Sequence, residues 1–177
     1  MRIDPATWTK ETILNNYYAQ PFLGLNDLDI DPQGNFWLTD SKTGYGRHLI
    51  PYYYPTNPSV YFVNGTTGRP RVVHVTTGNA NGVAVSGDGK VYIPDTGVSE
   101  SYPADNKNPF GDRRLHAFDT GAGKEGLLEN GRLLANPIAY YYDGIRVARN
   151  GWIFAGAGDG VDVLDPETGN LHSLRVA

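Results

Sequence analysis

Three side chains carry most of the chemistry on offer in this sequence: Asn26, Asn81 and Asp143. Each opens a segment of one design: NDLDIDPQGNFWLTD, NGVAVSGDGKVYIPD and DGIRVARNGWIFAGA. In each, a glycine (Gly34, Gly89, Gly151) falls eight residues after the opening residue. Two carboxamide oxygens and one carboxylate, brought to one point, suit a hard cation with oxygen ligands. Calcium fits best, with another divalent cation as the alternative. A softer metal would call for histidine or cysteine at these positions. Taken singly, Asn or Asp ahead of a strand is an ordinary turn residue. The same position in three repeats favours a site.

The elements that must position these residues are strands. Apolar residues recur at every second position through Leu28 and Ile30, Phe36 and Leu38, Val83 and Val85, Val91 and Ile93, the period of a half-buried strand. Each segment continues into a further strand and glycine turn (VYFVNGTTG, LHAFDTGAG, VDVLDPETG) and then a fourth strand (RPRVVHV, GRLLA, NLHSLRV). Strand–turn–strand–loop–strand–turn–strand in tandem predicts an all-β fold of β-propeller blades. The expected blades are about 23–78, 79–137 and 138–177. Residues 1–22 are expected to be the remnant of a preceding blade, with one outer strand near 11–15. The whole chain, 1–177, then reads as a single incomplete propeller domain. About four to eight blades are needed to close a ring, so roughly half a propeller is expected, with open edges that invite self-association.

In a blade the first strand lines the central channel and its first residue sits at the mouth. Asn26, Asn81 and Asp143 are therefore expected to face one spot. The loops at 41–59 and 96–112 fall on the same face. They hold Tyr45, Arg47, His48, Tyr52, Tyr53, Tyr54 and Tyr102, which either wall a substrate pocket or pack over the blade tops. Tyr45 and His48 are the substrate-contact candidates. Asp40 and Asp95 end second strands beside the mouth, as hydrogen-bond partners of the ligands or as turn residues. His74, His116 and His172 fall in outer strands.

Composition removes other classes. The 177 residues carry a net charge of -4 without a basic stripe, so no nucleic-acid partner is expected. No apolar run approaches the ~20 residues of a membrane span, and MRIDPATWTKET lacks the apolar core of a signal peptide. The absence of cysteine excludes disulfides, thiolate metal sites and a cysteine nucleophile. Asn64-Gly65-Thr66 is a glycosylation sequon that reads most simply as a turn. No GxSxG, HExxH or P-loop pattern occurs. The compartment is left open.

The set LNDLDIDPQGNFWLTD, NANGVAVSGDGKVYIPDTG and YYDGIRVARNGWIFAGAGDGVDVLDPETG resembles the gluconolactonase/regucalcin (senescence marker protein) family of six-bladed propellers. ILNNYYAQPFLGLND with TDSKTGYG looks closest to its fungal-type lactonohydrolases. The resemblance covers nearly the whole chain but about the second half of a full member. It implies a calcium-dependent hydrolase opening a small lactone, of the aldonolactone or pantolactone class. By position, Asn81 matches a calcium ligand, Asp143 a ligand and general base, and Asn26 a residue facing metal or substrate. Asp27 matches the holder of a second, structural calcium in the related paraoxonases. The family's glutamate ligand lies in a blade absent here, and Glu11 is a poor substitute. Leu25 replaces the usual proline, and Gly24 replaces an arginine that reads sugar acids in regucalcin-type members. The competing reading is an inactive fragment serving as a calcium-binding or interaction module. A strictosidine-synthase-like enzyme would want a glutamate facing the channel, and none is seen.

Overall fold

Each unit is closed at its first turn by a glycine at positive φ: Gly34 (81°), Gly89 (86°) and Gly151 (88°). A side chain is disfavoured in that conformation. The three turns carry the same backbone bond, Asp31 N–H to Asn35 O (3.0 Å), Ser86 N–H to Lys90 O (2.9 Å) and Ala148 N–H to Trp152 O (2.9 Å). The computed structural model describes residues 1–50, 58–100, 106–121, 125–138, 140–158 and 160–172. Tyr52, Tyr53, Tyr54 and Tyr102 lie outside the described residues.

Among the described residues the chain is all-β apart from one helical turn. It opens with two small hairpins, β1 (Arg2–Ile3) with β2 (Lys10–Glu11) and β3 (Asn16–Tyr17) with β4 (Gln20–Pro21). These stand where one strand near 11–15 was expected; the positive φ of Trp8, Tyr18 and Ala19 turns the chain back each time. The first unit is an antiparallel meander of β5 (Leu25–Ile30), β6 (Phe36–Asp40), β7 (Ser59–Val63) and β8 (Pro70–Val75). The helical turn α1 (Thr43–Gly46) follows β6.

The second unit pairs β9 (Ala84–Val85), β10 (Lys90–Pro94), β13 (Leu115–Thr120) and β14 (Leu128–Ala135) in that order. A two-stranded ribbon, β11 (Ser99–Glu100) with β12 (Asn106–Lys107), rises from the loop between its second and third strands. In the third unit β15 (Ile145–Val147), β16 (Ile153–Ala157) and β17 (Gly160–Leu164) form the sheet. A bridge from Leu164 to Leu171 begins a further pairing there.

Two apolar cores lie between successive sheets. Trp37, Val60 and Phe62 of the first unit pack with Val83, Val91 and Ile93 of the second. Ala84, Tyr92, Leu115 and Leu134 of the second pack with Ile145, Ile153 and Leu164 of the third. The middle sheet is thus covered on both faces, which explains why Val91, Tyr92 and Ile93 are all buried although a one-sided strand would alternate. On the far face of the first unit, Tyr17 and Phe22 pack edge-on against Tyr61 at centroid distances of 5.1 and 5.2 Å. Beside them Leu25, Leu28 and Ile30 stay exposed.

Candidate functional site

Each of the three head residues stands on a bulge. In the first unit Leu25 pairs with Asp40 and Leu28 with Leu38, so Asn26 and Asp27 face Thr39 alone. In the second, Ala80 bridges Asp95 and Ala84 pairs with Tyr92, leaving one extra residue in the stretch from Asn81 to Val83. In the third, Asp143 N–H donates to Gly156 O (2.9 Å) and Gly156 N–H to Gly144 O (2.9 Å), so Asp143 and Gly144 share Gly156. A bulge takes a side chain out of the strict alternation of its strand and re-aims it. It occurs here at the same place in all three repeats.

The backbones of these heads are joined. The Thr39 hydroxyl accepts the Asp27 N–H (2.9 Å) and donates to the Asn81 carbonyl. Gly82 lies against the third unit: a Cβ there would stand 2.3 Å from Asp143 O and 2.9 Å from Ile145 Cγ2. One residue further along, the Asp27 carboxylate accepts the Val83 N–H (3.1 Å) and a two-pronged bond from the Arg146 guanidinium (2.9 and 2.8 Å). Asp29 accepts the Val85 N–H (2.8 Å). The first strands of all three units are therefore tied side by side. Burial pushes the Asp27 carboxyl up, but Arg146 and the N–H groups of Leu28 and Val83 outweigh it and hold it below its ordinary range. The carboxylate matched in sequence to the holder of a second calcium is bonded here to the guanidinium of Arg146.

Asn81 stands apart in its polar environment. Its side-chain oxygen is the one buried side-chain N or O atom, among the described residues, with no hydrogen-bond partner. Such an atom costs about 1–3 kcal/mol unless something fills it. Asn26 and Asp143, on either side, are exposed. Among the described residues no three His, Cys, Asp or Glu side chains cluster; the trio of heads draws two of its members from carboxamides. Asp143 also lines a cleft of about 260 Å³ with Val98, Tyr140, Tyr141, Ala157 and Gly158.

Asp40 and Asp95 act on the backbone and not on the head side chains. Asp40 is buried and accepts the N–H groups of Leu23 (3.0 Å) and Gly24 (2.7 Å). Asp95, also buried, accepts those of Gly78 (2.9 Å), Asn79 (2.8 Å) and Gly97 (2.8 Å). Each clamp grips the two residues that lie three and two positions before its Asn. Burial raises the Asp40 carboxyl above its ordinary value against the pull of its two N–H donors. Asn79 ties the second unit to the loop of the first, its side-chain oxygen accepting the Lys42 N–H (2.9 Å) and the Ser41 hydroxyl (3.2 Å).

Tyr45 and His48, the expected substrate contacts, stand in and just after the helical turn that follows β6. Tyr45 is half-buried in α1, and His48 is exposed at φ 56°, its N–H bonded to Tyr45 O (2.9 Å). Neither lines the cleft beside Asp143. Glu11 is paired with Arg2 on the exposed first hairpin. His74 and His116 lie near each other between the first two units, ring centroids 6.4 Å apart and planes tilted by 57°. Sequence reasoning passed over Thr39 and Arg146. The repeat gave no signal for Thr39, since Pro94 and Gly156 hold the equivalent places. For Arg146 a signal existed: it stands in the third unit where Asp29 stands in the first.

The chain belongs to the SMP-30/gluconolactonase/LRE-like family, whose profile matches residues 1–176. The lactonohydrolase oryL of Aspergillus oryzae (strain ATCC 42149 / RIB 40) is 35% identical over 176 residues, covering 93% of this chain and 40% of that protein. Among solved structures, a gluconolactonase-family protein from a structural-genomics programme superposes with a TM-score of 0.77 at 23% identity, over 94% of this chain and 52% of that one. Regucalcin from Agrobacterium tumefaciens, described as a calcium-binding protein, matches with a TM-score of 0.59 at 22% identity, over 84% of this chain and 44% of that one. The chain thus spans about half, or less, of the length of the proteins it matches.

Proposed function

We propose that this chain carries a calcium site and the catalytic base of a lactonase. Its three units are read as consecutive blades of a six-bladed propeller, at about 23–78, 79–137 and 138–177, with 1–22 left from a preceding blade. The observation that carries the reading is the unpartnered, buried oxygen of Asn81, on a bulged head between those of Asn26 and Asp143. An all-oxygen donor set with one carboxylate fits calcium. The fold likeness to a regucalcin described as calcium-binding, and the sequence likeness to a lactonohydrolase, support cation and reaction in turn.

Asn26, Asn81 and Asp143 are the proposed cation ligands. Bound there, the cation would supply Lewis acidity to the lactone carbonyl. The exposed Asp143 carboxylate takes a proton from water. The water oxygen bonds to the carbonyl carbon, the ring C–O bond breaks, and the leaving alkoxide receives the proton from Asp143. The product is an open hydroxy acid. Asn26 orients the carbonyl. The substrate is a small lactone of the aldonolactone or pantolactone class.

The test is titrimetric hydrolysis of D-glucono-δ-lactone and pantolactone by the chain with calcium or with chelator, for the parent, Asp143→Asn and Asp143→Ala. The reading expects turnover that needs calcium and falls by roughly a hundredfold or more in both variants, the range of a general base. An inactive parent at saturating calcium, or an Asp143→Ala variant working at the parent rate with unchanged calcium dependence, overturns it.

A further inference from the structure

Among the described residues the third unit has no counterpart of the clamp that the other two share, and a cleft stands beside that position. Aligned on the head residues, Asp40 and Asp95 correspond to Ala157, and Leu23–Gly24 and Gly78–Asn79 correspond to Tyr140–Tyr141. A methyl group accepts no N–H bond, so Ala157 cannot grip the chain before Asp143 as Asp40 and Asp95 grip theirs. The cleft of about 260 Å³ beside Asp143 is bounded by Tyr140, Tyr141, Ala157, Gly158 and Val98. Gly158 keeps it open: a Cβ there would lie 3.3 Å from Tyr140 Cβ and 3.6 Å from its Cγ, covering the flank of that ring. The Tyr140 and Tyr142 hydroxyls both bond Asp162 (3.2 and 3.1 Å), so their polar ends are engaged by that buried carboxylate. Among the described residues Asp143 is the only charged one lining the cleft, and none of them is a cation that would complement an anionic ligand. The volume is at the small end for ligand pockets.

We propose that this cleft seats an apolar substituent of the substrate, so that of the two classes named above the alkyl-substituted, pantolactone-like lactones are bound in preference to the polyhydroxylated aldonolactones. The inference rests on the lactonase reading for what sits at Asp143. Ala157 and Gly158 are its specificity-determining positions. Neither is a proposed metal ligand or base.

Binding of γ-nonalactone, γ-butyrolactone and D-glucono-δ-lactone to the calcium-supplemented chain, followed by ligand-observed NMR, tests it. The parent is expected to hold γ-nonalactone at least about tenfold more tightly than either of the others, since several methylenes leave water. Ala157→Leu should fill the cleft and abolish that preference while γ-butyrolactone binding stays within about twofold. Gly158→Ala, which adds one carbon against Tyr140, should weaken the preference, and it serves if the leucine variant does not fold. Equal affinities in the parent, or a preference that survives in a folded Ala157→Leu variant, overturn the inference. Retained preference without calcium-dependent hydrolysis would keep the cleft and sink the lactonase reading. Hydrolysis without preference would do the reverse.

Discussion

Replacing Asp95 by asparagine should cost more than the same change at Asp40, because of how each carboxylate is used. Asp95 accepts three backbone N–H groups, from Gly78, Asn79 and Gly97, at 2.8–2.9 Å. An amide keeps one acceptor oxygen and turns an NH₂ towards the remaining donor. One charge-assisted bond is lost and one buried N–H is left unpaired, on the order of 2–4 kcal/mol. In a chain of this size each kcal/mol moves the melting temperature by roughly 2–4 °C, so Asp95→Asn should melt about 5–15 °C below the parent. Asp40 accepts only two N–H groups, and burial already opposes its charge. Asp40→Asn should therefore lose about half as much. Because the Asp40 carboxyl is raised on folding, its ionisation weakens the fold as pH climbs from its ordinary value of 3.8 through the folded value, and neutralising it removes that loss. Scanning calorimetry of the two variants and the parent at pH 7 gives the comparison. A melt of Asp95→Asn within about 1 °C of the parent, or a larger loss for Asp40→Asn, would refute the reasoning.

Other outcomes follow from the same geometry. Thr39→Val removes the hydroxyl that joins Asp27 N–H to the Asn81 carbonyl and should cost about 2–3 kcal/mol in denaturant titration, whereas Thr39→Ser should cost under about 1 kcal/mol; equal losses would assign the effect to packing. Gly82→Ala would drive a methyl into Asp143 O and should destabilise by about 1–3 kcal/mol or more while weakening calcium binding in titration calorimetry. An alanine variant with parental stability and affinity would contradict the close approach. Burial lowers both His74 and His116; the charge of His116 adds to the lowering at His74 and that of Arg114 to the lowering at His116, while Asp95 pulls the other way on each and Asp112 on His116. The folded state thus binds fewer protons just below pH 6.5, so stability is fully present above that pH and falls as pH drops through it. His116→Phe should flatten this acid limb in melts between pH 7.5 and 5, and an unchanged limb would place the titration elsewhere.

Much of the fold was legible because each unit repeats the same punctuation. Gly34, Gly89 and Gly151 aligned in sequence because each closes a tight turn at positive φ. The alternation around them then set the strands of β5, β6, β9 and β10. The opening residues were less legible: hairpins of two-residue strands carry too few positions for a period to show, and 1–22 read as a blade remnant with one strand near 11–15. At the site, Asn26, Asn81 and Asp143 could be singled out as types in register, but nothing in the sequence marks a bulge. A one-residue excess on one strand appears only against its partner, as Asn26 and Asp27 do against Thr39. The ion pair of Asp27 with Arg146 joins residues 119 positions apart and follows from the packing of three sheets, which no local pattern records. The clamps were visible as aspartates ending β6 and just past β10. Their grip on backbone N–H groups, rather than on the head side chains, depends on where the preceding chain passes.

The central claim is that Asn81, Asn26 and Asp143 hold one calcium ion. The most direct measurement is a crystal structure of this chain grown in saturating calcium, with the ion identified by anomalous scattering. The account predicts one ion whose ligands include the side-chain oxygens of all three residues at roughly 2.3–2.6 Å, with the Asn81 oxygen no longer unpartnered. A structure at saturating calcium with no ion near Asn81, or with an ion that leaves Asn81 and Asp143 uncoordinated, would contradict it.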